Sequence, residues 1–303
     1  MSDTFEFIDA EYAATHSQDN EEVPPVTKMC AWLDVSRSGY YEWRVRPESA
    51  TARRRDELKA IIRHSFEASD GTYGHRRVHA DLAAWGVACG PELVRALMRE
   101  LGLEPCQPKP WRHSLTVAGD QRHTIPDLVA RDFTADAPGE KMIGDITYIP
   151  TWQGWLFLAT VIDCHTREVI GWAMDDHYRT PLIEAAIRMA VGNGRVQPQA
   201  IFHSDRGSNY TSHDFGAILK QLKIRQSVGR TGICYDNAMA ESFFATLKKE
   251  RVHRTVYPTR ERARNDIARY IELRYNSRRR HSQLGYKTPL QVRNEFEDQQ
   301  LAA

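Results

Sequence analysis

Residues 142–151 read Met142-Ile143-Gly144-Asp145-Ile146-Thr147-Tyr148-Ile149-Pro150-Thr151, an apolar and β-branched run with one carboxylate inside it. This composition predicts a strand, and the apolar residues on both sides of Asp145 predict that the strand is buried. A carboxylate in such a place must be paired, solvated or metal-bound, because burying it alone is costly. Working outward, two more strand-like runs follow, Trp155–Cys164 and Glu168–Asp175, with turns at Gln153-Gly154 and His165-Thr166-Arg167. Next come a helix over about 181–191, a strand Ala200–Asp205, a helix from Ser212 to Leu222 and a strand Ile224–Val228.

Three meandering strands followed by alternating helix and strand are the order of an RNase-H-like α/β core, here expected over residues 139–250. In that architecture the first and fourth strands are neighbours, which would set Asp145 beside Asp205. Asp205 closes the apolar run Ala200-Ile201-Phe202-His203-Ser204-Asp205, just before the turn Arg206-Gly207-Ser208-Asn209. Glu241 lies in Asp236-Asn237-Ala238-Met239-Ala240-Glu241-Ser242-Phe243-Phe244, which reads as helix. Taken singly, an Asp at a turn is a common cap and a helical Glu is commonly a solvated surface residue. Taken together, the three acids form a hard-oxygen ligand set for Mg²⁺ or Mn²⁺, able to hold two ions and to serve in-line phosphoryl transfer. Asn237, Glu241 and Lys248 stand at i, i+4 and i+11 on roughly one helix face, so Lys248 is placed to meet a DNA phosphate.

Asp205 and Glu241 are 36 positions apart, with 35 residues between them. In this spacing the chain resembles the DDE transposases and retroviral integrases. The stretches His203-Ser204-Asp205-Arg206-Gly207-Ser208-Asn209-Tyr210, Asp236 to Phe244, Tyr275-Asn276 and Arg279-Arg280-His281-Ser282-Gln283-Leu284-Gly285-Tyr286 narrow the resemblance. They are similar, in order, to the second-frame transposase of two-frame bacterial insertion sequences, over about residues 26–293. The resemblance implies a catalytic subunit that cleaves and joins DNA at the ends of its own element. It implies catalysis by Asp145, Asp205 and Glu241 with two Mg²⁺ ions, Mn²⁺ substituting, and no covalent enzyme–DNA intermediate. Related transposases carry a Lys or Arg where Lys248 stands, whereas Met142 and Ile143 occupy positions where relatives often have a tryptophan. Implied partners are double-stranded DNA (element ends and target), further copies of the chain on DNA, and an upstream-frame protein or frameshift fusion with a leucine zipper. No heptad run occurs here, so the chain reads as the downstream product alone. Two rivals remain open: a DNA-binding regulator with an inert core, and an RNase-H-like nuclease that does not join strands.

Composition narrows the setting. The 303 residues allow one sizeable core plus one or two small domains. No run is long and apolar enough for a membrane span, and no charged-then-apolar leader opens the chain. The five cysteines are scattered without a C-x-x-C pair, which argues against structural zinc and for a reducing compartment, here the bacterial cytoplasm with nucleoid association. A net charge of +1 hides an asymmetry: residues 1–24 hold seven acids and no Lys or Arg, whereas residues 248–293 hold fourteen Lys/Arg and four acids. Regional charge sets phosphate affinity.

The remaining segments are expected as an acidic, disordered tail (1–24), a helix-turn-helix-like module (25–48) with Ser36 as a helix cap, and a second helical DNA-binding module (49–103). A proline-rich linker (104–138) precedes the core, and a basic helical extension (251–303) follows it. Expected DNA contacts are Arg76, Arg77 and Arg95 in the second module, Arg206, Arg230, Asn237 and Lys248 in the core, and the cluster Arg278, Arg279, Arg280 and His281. Residues 229–235 read as a mobile loop over the site, His203 as a structural hydrogen-bonder as readily as a functional group, and Cys234 as incidental.

Overall fold

The computed structural model describes residues 2–16, 24–47, 49–106, 125–229 and 238–302. They divide into two compact units, 1–61 and 62–303.

The first unit holds α1 (Ser2–His16), α2 (Val26–Trp32), α3 (Arg37–Val45) and the beginning of α4 (Ala50–Ala68). Ser36 caps α3 as expected, its hydroxyl accepting from Gly39 N at 3.3 Å. The acidic N-terminal segment departs from expectation: residues 2–16 are helical. Phe5, Ile8 and Tyr12 recur at helical spacing, and Phe5 and Ile8 are buried against Val26, Met29, Cys30 and Tyr40. Tyr40 donates to Asp9 Oδ1 at 2.8 Å, so one of the acids is a packing partner. That apolar stripe supplies the burial that offsets the ordering cost of the segment.

In the second unit α5 (His75–Ala84) and α6 (Pro91–Glu100) pack on one another through the fully buried Val78, Leu82, Val94 and Leu97. Gly86 at φ +76° opens the turn between them, and Pro91 stands in the first turn of α6. Residues 107–124 of the expected linker lie outside the described residues.

The sheet contains β1 (Lys141–Thr151), β2 (Gly154–Asp163), β3 (Val169–Asp175), β4 (Ile201–Ser204) and β5 (Arg225–Val228), in the order β3-β2-β1-β4-β5. β1, β2 and β3 pair antiparallel, while β4 pairs parallel with β1 and with β5. The neighbouring first and fourth strands are the arrangement expected from the element order. Helices α7 (Thr180–Gly192) and α8 (His213–Gln221) cover one face, packing on Met142, Val161 and Phe202. Gly171 on β3 permits the close approach of α7: a Cβ there would stand 2.3 Å from Ala186 O.

The opposite face is covered by α9 (Ala238–Glu250), α10 (Arg260–Arg269) and a π-helical continuation, Tyr270–Asn276. The five-residue spacing of the π turn lets Tyr270, Ile271, Tyr275 and Asn276 all lie buried. Fully buried Phe243 sits in this layer, where truncation to Ala typically costs about 3–5 kcal/mol. The core therefore continues past the boundary expected at residue 250. Asn276 closes the outer edge of β3, donating to Val169 O and accepting from Val169 N, both at 3.0 Å. Arg293, on α11 (Pro289–Ala302), donates to both carboxylate oxygens of the buried Glu168, at 2.7 and 2.8 Å. These long-range bonds stitch the C-terminal segment to the sheet. No described helix is long and apolar enough to cross a membrane.

Candidate active site

The parallel ladder between β1 and β4 ends with Ile143 opposite His203. Asp145, in the middle of β1, and Asp205, just past β4, each stand two residues beyond that last pair. β4 stops at Ser204, so β1 from Gly144 onward has no partner strand on that side among the described residues. The sheet is split open where the acids lie.

Local sequence explains how each is held. Gly144 lies under the ring of Phe202, and a Cβ at 144 would stand 2.1 Å from Cζ of that ring. Glycine at 144 leaves room for the Phe202 ring to lie across β1 next to Asp145. Asp145 Oδ1 accepts from Ile146 N at 2.7 Å, and Asp205 Oδ1 accepts from Gly207 N at 3.0 Å within its turn. Neither Oδ2 accepts a hydrogen bond from a described residue, which leaves one oxygen of each free for a ligand. Glu241 occupies the first turn of α9, exposed, where the helix dipole favours an acid. The inner face of α9, with Ala240, Phe243 and Leu247, packs in the same cluster as Ile143 and so carries Glu241 to the split end of the sheet.

Electrostatics tie these residues together. Burial, then the carboxylate of Asp205 and that of Glu241, push Asp145 up to about 7, offset by the amide of Ile146 and by Lys248. Burial also raises Glu241 and lowers Lys248, the latter against the opposing pull of Asp145. The half-buried Lys248 holds its ammonium 4.7 Å from the ring centroid of Tyr148 on β1. No spacing in the sequence reveals that contact, because it joins α9 to β1 at the open edge. Behind the acids, buried Tyr210 is raised well above its ordinary value, by burial and then by Asp145 and Asp205. Thr160, opposite Asp145 on β2, keeps its buried Oγ1 without a hydrogen-bond partner.

These observations bear on a divalent cation. Three hard-oxygen donors that repel one another, each aspartate keeping an open oxygen, suit Mg²⁺-type ions. Among the described residues, one group of His, Cys, Asp and Glu places three ligand atoms within 4.8 Å of one another, and it is Asp175, Asp176 and His177. Two of those are paired with Arg264 and Arg260, at 3.7 and 3.6 Å. Asp145, Asp205 and Glu241 are spread more widely than that.

The expected DNA contacts divide sharply. Arg76, Arg95 and Arg278 are exposed, Arg95 next to Glu92 at 3.1 Å. Arg206 is half-buried and donates to Gly229 O at 2.6 Å. The cluster at 279–281 is corrected by the structure. Arg279 is 5% exposed and donates from Nε to both oxygens of Glu250, at 2.9 and 3.0 Å. Arg280 pairs with Asp81 and donates to Tyr286 O at 3.0 Å. His281 packs its ring edge-on to Tyr275 at 4.8 Å, and burial, then Arg279, hold it down to about 3. Arg77 is likewise turned inward, donating to Arg280 O at 3.0 Å. Their charges serve internal acids and carbonyls, so the basic C-terminal segment is not one free cationic face. His203 is a buried structural hydrogen-bonder whose Nδ1 lies 2.8 Å from Ser227 Oγ. Asn237, Arg230, Cys234 and the rest of 230–237 lie outside the described residues.

Comparison with known proteins agrees with this architecture. Residues 135–234 and 222–289 match two family models, each described as an integrase core domain, and residues 53–111 match an HTH-like domain. The chain is 36% identical over 274 residues to transposase InsF for insertion sequence IS3A of Escherichia coli strain K12, covering 89% of this chain and 94% of that protein. It belongs to the IS3 family of transposases. The transposase is also 37% identical over 269 residues to the insertion element IS600 uncharacterized 31 kDa protein of Shigella sonnei, covering 88% and 98%. A looser likeness links it to the HTLV-2 integrase catalytic core domain, at 15% identity and a TM-score of 0.41, over 52% of this chain and 98% of that one. As a transposase with an integrase core, the protein is a DDE-type polynucleotidyl transferase, and DNA is its substrate.

Proposed function

We propose that Asp145, Asp205 and Glu241 are the catalytic acids of the transposase and hold two divalent cations, Mg²⁺ with Mn²⁺ as a substitute. There the enzyme cleaves and joins DNA at the ends of its own insertion sequence. The observation that carries this reading is the β1–β4 register, which sets Asp145 and Asp205 side by side where the strands part, with the charge of Glu241 also reaching Asp145. Asp145, Asp205 and Glu241 would hold the ions, and a ligand set shared by two ions need not be as tight as a single-ion cluster. When bound, such ions activate the attacking oxygen and stabilise the leaving oxygen.

The chain's own residues supply the rest. Asp145 is fixed by the amide of Ile146, Asp205 by that of Gly207, and Glu241 by the packing of α9. Lys248, on the same face of α9 as Glu241, neutralises a phosphate beside the reacting bond. Exposed Arg76, Arg95 and Arg278 contact duplex phosphates, which position DNA without reading its sequence. The enzyme works in the bacterial cytoplasm on the nucleoid, as a homo-oligomer on DNA, with an upstream-frame protein or as a frameshift fusion. Incubation with labelled element ends and Mg²⁺ tests this: nicked ends and joined strands are expected. Hydrolysis without joining would indicate a nuclease, and binding without cleavage an inert regulator.

A further inference from the structure

Two large aromatic residues stand exposed farther along the β1–β2 ribbon from Asp145, on the opposite face of the sheet. Tyr148, three residues beyond Asp145 on β1, is 54% exposed, and Trp155, at the start of β2, is 51% exposed. They lie on the same face of the β1–β2 ribbon, because Tyr148 is paired with Phe157 and Trp155 with Pro150. Their rings meet edge to face at 4.9 Å. Lys248 lies over the Tyr148 ring, and about half of each aromatic side chain stays exposed to solvent. Adjacent exposed aromatics of this size are costly to keep in water and mark a binding surface.

The platform is also braced. Arg260 donates from Nε to Trp155 O at 3.1 Å and from its backbone N to Gln153 Oε1 at 3.0 Å, while Trp152 N donates to Tyr257 O at 3.1 Å. The hairpin carrying Trp155 is thereby tied to the helical layer behind it. Flat apolar rings, held rigid next to a cation, match the requirements for stacking an unpaired base while its phosphate meets the ammonium.

We propose that Tyr148 and Trp155 form a stacking platform for an unpaired nucleobase of the DNA strand being processed, with Lys248 on the adjoining phosphate. The site takes single-stranded or frayed DNA at the end of a duplex and holds it splayed. This rests on the reading of Asp145, Asp205 and Glu241 as the reacting centre, because Lys248, which meets the Tyr148 ring and shares the Glu241 face of α9, joins the patch to that centre and identifies the occupant as nucleic acid.

The test compares binding of the full chain to a blunt duplex and to the same duplex with a single-stranded oligothymidylate tail. EDTA is present, so that binding is independent of metal. Tyr148→Ala and Trp155→Ala should each weaken tailed-duplex binding by about fivefold or more, the low end of what base–aromatic stacking contributes. Blunt-duplex affinity should stay within about twofold, and Tyr148→Phe and Trp155→Phe should retain tailed binding. Both Ala positions are exposed, and an unchanged melting temperature checks that the variants fold. Unchanged tailed binding in the Ala variants overturns the proposal. Equal loss on both DNAs together with a changed sedimentation coefficient also overturns it, assigning the patch to contact between copies of the chain. Asp205→Asn, assayed for cleavage in parallel, separates the two claims: retained cleavage would sink the acid assignment without altering the EDTA binding result.

Discussion

Asp145 and Asp205 extend the β1–β4 ladder by the same two residues past its last pair, Ile143 and His203. The parallel register therefore brings both acids to the point where β1 and β4 part, on the face that α9 covers. Gly144, between Ile143 and Asp145 in the register, makes room for the ring of Phe202.

Gly144→Ala should accordingly damage the site through packing alone. Its methyl group would overlap the Phe202 ring, and overpacking of this kind costs about 1–3 kcal/mol. Thermal denaturation should show a lowered melting temperature, partly recovered by adding Phe202→Leu. An unchanged melting temperature in the single variant would show that β4 yields without cost.

Glu250 and Arg279 form a buried pair 29 positions apart, with Tyr270 donating to Glu250 Oε2 at 2.8 Å. Arg279→Met should destabilise by about 3–5 kcal/mol, because it leaves a carboxylate buried without its partner. Adding Glu250→Met should recover much of that in urea denaturation. If the double variant is no more stable than the single, the loss comes from packing rather than from a stranded charge.

His281 makes the fold sensitive to acid. Its ordinary value is about 6.5 in the unfolded chain, against about 3 in the folded one. Between those values the unfolded state binds a proton that the folded state does not, so stability falls as pH falls through the window. At pH 5 this group costs about 2 kcal/mol relative to neutral pH, at about 1.36 kcal/mol per unit. His281→Phe keeps a ring against Tyr275 and should lose that part of the pH dependence. A stability difference between wild type and variant that is constant from neutral pH to pH 5 would contradict the buried, neutral assignment.

The arginines at 278–280 should separate in a salt titration of duplex binding. Arg278→Gln should lower the steepness of log affinity against log salt by up to about 0.9, the value for one phosphate contact. Arg279→Gln should leave that slope unchanged while lowering stability. Equal changes in slope would place Arg279 on the DNA after all.

What could be read from the sequence follows the range of the interactions involved. Strands and helices of the core were legible because their apolar periodicity is local, and Ser36 was legible as a cap for the same reason. The first helix was hidden because its acids dominate the composition, while Phe5 and Ile8 find their partners only in α2 and α3. The basic C-terminal segment misled for the opposite reason. Its charge suggests a cationic face, but Glu250, Asp81 and Glu168, far away in sequence, pair with Arg279, Arg280 and Arg293. Of the candidate site, strand order set Asp145 beside Asp205. The Lys248–Tyr148 contact emerges only once α9 packs on the sheet.

The most direct test of the catalytic acids uses Glu241, which is exposed on α9 and not needed for packing. Cleavage of labelled element ends in Mg²⁺ is measured for Glu241→Gln, alongside duplex affinity and melting temperature. The expected result is cleavage reduced to background with affinity and melting temperature unchanged. Cleavage near the wild-type rate would contradict the assignment of Glu241 as the third acid of the site.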